Sequence, residues 1–131
     1  MSEYGYSVEV AAGYDETVIR TRVALRSEGF SILTEMHVGG MLGAAAGEGR
    51  QYLIMGAWTP ATVARRLDSE LQVGIHLPCN FVIADHNGGC LLAALDPADE
   101  VDDGGTITPE LAEQARHALG RVLQRVSTGQ P

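Results

Sequence analysis

Phe30, Ile32, Met36 and Val38, with Thr34 completing the series, recur at every second position. A period of two predicts a β-strand over Phe30–Val38 with one apolar face, leaving Ser31, Leu33, Glu35 and His37 on the other. Upstream, Tyr6–Val10 alternates loosely and suits an opening strand. Between the two, Asp15 and Glu16 favour a helix start, and the pattern runs as a helix to about Glu28. Gly29 is a natural stop, because glycine adopts the left-handed C-terminal conformation at little cost. Tyr14, Val18 and Leu25 share one helical face, with Ile19 and Val23 beside it, so the apolar stripe is broad.

Gln51–Trp58 is apolar and reads as a further strand, and Thr59-Pro60 then supplies an N-cap and a first-turn proline for a helix carrying Val63, Leu67 and Leu71. Phe81–Ala84 and Cys90–Leu95 flank Asp85-His86-Asn87-Gly88-Gly89, which predicts a hairpin with Cys90 opposite Ala84. An acidic loop, Asp96–Gly105, leads to Thr108-Pro109-Glu110, a second cap-and-proline start. The final helix places Leu111, Ala115, Leu119, Val122 and Val126 on one side. The order is strand, helix, strand, glycine-rich segment, strand, helix, hairpin, helix. It predicts an α+β two-layer sandwich, with a mainly antiparallel sheet and helices packed on one face.

With 131 residues, no repeat and no linker, the chain reads as one domain, 1–131, with 1–5 and 127–131 as frayed ends. Its net charge of −8 argues against nucleic acid or an anionic membrane as partner. The basic residues Arg20, Arg22, Arg26 and Arg65-Arg66 all have acids nearby. No signal peptide and no apolar run long enough to span a bilayer is evident, so a cytoplasmic location is expected. Cys79 and Cys90 are expected as free thiols, since in the predicted hairpin they lie roughly 16 Å apart at ~3.3 Å per residue.

Candidate chemistry gathers in Gly74-Ile75-His76-Leu77-Pro78-Cys79-Asn80-Phe81, where a proline holds an imidazole, a thiol and a carboxamide at the mouth of an apolar run. Cys79 is a candidate nucleophile or redox thiol if His76 lies close, and otherwise packs as a small hydrophobe. Asn80 either bonds to backbone or lines a polar pocket. Glu35 with His37 offers an acid–base couple or a solvated pair. Trp58 is a core or interface anchor, or a ligand-stacking ring. His37, His76, Cys79, His86 and Glu35 have no chelating spacing, so no metal site is expected. Gly39–Gly49 lacks the lysine of a phosphate loop; it reads as a surface loop or as a small-residue contact face.

The segments YDETVIRTRVALRSEGFSILTE, YLIMGAWTP, VGIHLPCNFVI and LAALDP, spanning roughly Tyr14 to Pro97, resemble the prokaryotic family catalogued as domain of unknown function 302. That resemblance implies a small α+β domain that often pairs as a homodimer, with no assigned reaction and no known cofactor. Relatives commonly carry a second cysteine where this chain has Trp58, so the resemblance leaves Cys79 as the one matching thiol. The glycine-alanine run also differs from the charged helix expected at that place. The expected function is a small-ligand-binding or sensor-type domain acting as a homodimer, with Cys79, Asn80, His76, Trp58 and Glu35 around the ligand. The alternatives are a thiol-dependent or acid–base enzyme using Cys79 or Glu35, and a structural interaction module.

Overall fold

The computed structural model describes residues 6–38, 51–58, 80–97 and 108–129. Within them run β1 (Tyr6–Val10), α1 (Tyr14–Ser27), β2 (Ser31–His37), β3 (Tyr52–Trp58), β4 (Phe81–His86), β5 (Gly89–Ala94) and α2 (Pro109–Thr128). The five strands form one antiparallel sheet in the order β1-β5-β4-β3-β2. The helix expected after Thr59-Pro60 and the glycine-rich segment lie outside the described residues, as do Cys79, His76 and the stretch 98–107.

The layers are set by which side of each strand is apolar. Val10, Leu53, Met55, Ala57, Phe81, Ile83, Cys90, Leu92 and Ala94 turn to one face and meet Val18 and Leu25 of α1 and Leu119, Val122 and Val126 of α2. Both described helices therefore cover the same side of the sheet, giving the two-layer α+β architecture that the periodicities predict.

α1 ends on a Schellman arrangement: the Gly29 N–H donates to Arg26 O (3.0 Å) and the Phe30 N–H to Leu25 O (2.9 Å). Gly29 takes φ 85°, the left-handed conformation its position requires. The buried stripe of α1 is not the expected one. Ile19 and Val23 are about half exposed, at 53% and 48%, while Thr17 and Thr21 are fully buried. Each buried threonine donates its hydroxyl back along the helix, Thr17 to Gly13 O and Thr21 to Thr17 O, both at 2.8 Å. Satisfied in this way, a threonine can occupy a core position where an isoleucine was anticipated.

The β4–β5 hairpin is tighter than expected. Strand pairing continues through Asp85↔Cys90 and His86↔Gly89, leaving only Asn87 and Gly88 in the turn. Both have positive φ, 48° and 82°, the conformation of a two-residue turn that matches the strand twist. Cys90 thus faces Asp85 rather than Ala84. It is a free thiol, buried at 1% exposure.

β2 departs from simple alternation. Ile32 pairs with Ala57 and Thr34 with Gly56, so Leu33 is an extra residue, a β-bulge. Beyond it Glu35 pairs with Met55 and His37 with Leu53, both core residues. The bulge therefore exchanges the faces: Glu35 and His37 turn toward the helices, while Met36, at 48% exposure, turns away.

Ion pairs tie the helices to each other and to the sheet. Glu28, at the end of α1, accepts from Arg121 Nε (2.7 Å) and lies 3.3 Å from Arg125 Nη2 of α2. Arg20 of α1 donates to Val126 O near the end of α2. Asp96, after β5, holds Arg116 with two bonds of 2.8 and 2.7 Å. The Thr108 hydroxyl caps α2 by accepting from the Leu111 N–H. α2 continues through Thr128 to a left-handed Gly129.

Candidate functional site

The bulge in β2 builds the candidate site. By aiming Glu35 and His37 at the helical layer, it brings them to Arg22 and Tyr14 of α1. Arg22 grips Glu35 with Nε and Nη2, at 3.0, 3.1 and 2.7 Å. This fork geometry suits a guanidinium and a carboxylate, and the hydrogen bonds to Glu35 push the Arg22 guanidinium above its usual value. Both Glu35 oxygens are engaged by Arg22.

Two residues on, the His37 ring meets Tyr14 edge-on, and the phenol oxygen lies 2.8 Å from Nδ1. Tyr14 is 6% exposed whereas His37 is exposed. Burial pushes the phenol above its usual 10.0, with Asp15, Asp85, Cys90 and Glu35 adding to the shift. The phenol therefore keeps its proton. Among the described residues its hydroxyl has one acceptor, His37 Nδ1. If the neutral ring carried its proton on Nδ1, the phenol would accept that bond and leave its own buried hydrogen without a partner. The arrangement therefore favours Tyr14 donating to Nδ1 and His37 carrying its proton on Nε2.

Asp85 pairs in register with Cys90, and its Oδ2 accepts from the Gln51 N–H at 2.8 Å. Burial raises the Cys90 thiol above its usual 9.0, a bond with Thr17 partly offsets this, and Asp85 raises it further. Cys90 is thus a protonated core thiol. No group of three or more His, Cys, Asp or Glu among the described residues is arranged to hold a metal ion.

Of the residues singled out in the sequence, Asn80, Trp58 and Glu35 are among those described. Cys79 and His76 lie outside the described residues. Asn80 uses its carboxamide on the Ala57 peptide, accepting from Ala57 N (3.0 Å) and donating to Ala57 O (2.8 Å). Trp58 is 6% exposed and pairs with Ser31, so by alternation its ring lies on the sheet face opposite Ala57. Glu35 meets the guanidinium of Arg22, on the helix-covered side. Sequence reading did not place Tyr14 and Arg22 in the site. Tyr14 was assigned to the core stripe and Arg22 to a diffuse basic cluster, and neither assignment carries a signal for a partner on β2. Only the Leu33 bulge, which has no clear mark in the sequence, brings them together.

The family model described as "Domain of unknown function DUF302" matches residues 6–126. The fold also resembles the crystal structure of an uncharacterized conserved DUF302 protein from Bacillus stearothermophilus. The two are 27% identical, the match covers 95% of this chain and 99% of that one, and the TM-score is 0.71. No curated protein matches. The chain belongs to the DUF302 family.

Proposed function

We propose that this DUF302 chain is a small-ligand-binding or sensor-type domain that works as a cytoplasmic homodimer. The observation that carries the reading is the Tyr14–His37 pair. A buried phenol that orients an exposed imidazole fixes the direction of a surface hydrogen-bonding group. Fixing that direction benefits recognition more than it benefits folding. Glu35 and Arg22 stand beside the imidazole and make the surroundings polar and ordered. The acid–base alternative through Glu35 has less support, because Arg22 holds both carboxylate oxygens. The thiol alternative rests on Cys79, outside the described residues.

Pairing with a second copy finds its support on the sheet face opposite α1 and α2, where Met36 is 48% exposed. In register, Met36, Ile54, Val82 and Ala93 form one cross-strand row there, and Tyr52, Ala84 and Leu91 another. The first row, which Ser7 of β1 continues, holds no charge, which matters for a chain of net charge −8 that would repel itself elsewhere; the second row ends on Glu9 of β1.

A panel of small carboxylates, amines and neutral metabolite-like compounds, followed through the ring signals of His37, tests the binding reading. Saturable shifts with at least one class are expected, and silence across the whole panel refutes it. Light scattering after size exclusion tests the pairing. Val82→Lys should convert a dimer to a monomer; a wild-type chain that is monomeric at high concentration removes the homodimer.

A further inference from the structure

The ligand-binding reading leaves the kind of ligand open, and the donors at the site narrow it. Glu35 has both oxygens bonded to Arg22, so it offers little to a cation. Asp85 accepts from the Gln51 backbone. Beside these engaged carboxylates, His37 and Arg22 each keep a donor. His37 presents Nε2–H once Tyr14 occupies Nδ1. Arg22 binds Glu35 through Nε and Nη2, and its Nη1 has no protein partner among the described residues. Glu35 and His37 are next-but-one on the same strand face, about 7 Å apart along β2. Arg22 lies against the first and Tyr14 against the second, so the two donors belong to neighbouring positions of one strand face.

Resting on that reading, we propose that the site takes a small carboxylate, that His37 donates to it through Nε2–H, and that Tyr14 is a positioning residue that fixes the imidazole for this donation. Arg22, pre-ordered by Glu35, supplies the second donor through Nη1. A carboxylate fits because it is acceptor-only, and because a guanidinium and an imidazole N–H both prefer a charged oxygen.

The test uses the full chain labelled with nitrogen-15, titrated with sodium acetate and, in parallel, with methylammonium chloride. Long-range proton–nitrogen correlations report the His37 ring, and side-chain spectra report Arg22. The free chain should show His37 as the Nε2–H tautomer, and acetate should shift Nε2 and the Arg22 signals saturably while methylammonium does not. Tyr14→Phe should weaken acetate binding about 2- to 10-fold, the worth of one hydrogen bond, while the thermal melt remains cooperative. His37→Ala should abolish the acetate response at Arg22. If Tyr14→Phe does not fold, the wild-type tautomer decides the positioning role, and an Nδ1–H ring overturns it. A saturable response to methylammonium alone overturns the carboxylate assignment and leaves ligand binding standing. No saturable response at His37 to either probe, or to the wider panel, overturns both.

Discussion

Asn80 serves as a piece of strand for Ala57: its carboxamide accepts from the Ala57 N–H and donates to the Ala57 carbonyl, at 3.0 and 2.8 Å. The Asn80 main chain is already in the ladder, through Met55 O and the Leu95 N–H. The side chain thus extends β3–β4 pairing one peptide further. Asn80→Ala leaves two backbone groups of a 1%-exposed residue without their partners. A loss of about 2 to 3 kcal/mol in urea denaturation is expected. Asn80→Asp should also destabilise, since it turns the donating end into a second acceptor facing Ala57 O. A cost near zero for both variants would show that the bond pair contributes nothing to stability.

Arg22 and Glu35 have bidentate geometry but are partly solvated, with side-chain exposures of 35% and 24%. Their attraction is therefore screened. A double-mutant cycle of Arg22→Ala and Glu35→Ala should give a coupling of about 0.5 to 1 kcal/mol, reduced by added salt. Coupling that salt does not weaken would mean that the pair acts through packing and not through charge.

Gly88 and Gly89 should resist alanine for different reasons. Gly88 has open space around it but φ of 82°, so Gly88→Ala carries a conformational cost of about 1 to 2 kcal/mol. At Gly89 an added Cβ would lie 2.4 Å from Val10 O, so β1 must move away from β5. Amide exchange can tell the two apart: Gly89→Ala should loosen β1 selectively, whereas Gly88→Ala should lower protection evenly. Identical exchange patterns would contradict this distinction.

Stability should fall on the alkaline side. Burial holds Cys90 above its usual 9.0 and Tyr14 above its usual 10.0. Above those values the unfolded chain releases protons that the folded chain still keeps. Fewer protons are then bound in the unfolded state, so unfolding becomes easier as pH rises. The stability contributed by each group is complete below its unfolded value and declines as pH climbs toward the folded one. Each unit of separation corresponds to about 1.4 kcal/mol. Urea midpoints taken from about pH 8 to about pH 10.5 should decrease, and Cys90→Ala should delay the onset from near 9 to near 10. A flat profile, or an unchanged onset in Cys90→Ala, would rule out this linkage.

Much of the fold was legible because its signals are local. Tyr6–Val10 alternates, Gly29 stops α1, Thr108-Pro109 starts α2, and each acts within a few residues of itself. The site was less legible. Glu35 could be flagged as a carboxylate in a strand, but its partner Arg22 and the Tyr14–His37 bond depend on groups 13 and 23 residues apart. The length of the hairpin turn was misjudged for a related reason. Asp85 and His86 look like loop residues by type, yet they complete strand pairs once Asn87 and Gly88 turn the chain so tightly.

By itself, the order of residues determined the family, the α+β class and the positions of the described elements, because periodicity, caps and turn residues are properties of neighbouring positions. Tertiary structure alone decided which face each residue of β2 presents, since one bulge at Leu33 reverses every side chain after it. It also decided that threonines enter the core of α1 while Ile19 and Val23 face solvent. Burial of Thr17 and Thr21 depends on how the helix rolls against the sheet, and that angle is set by all the contacts together.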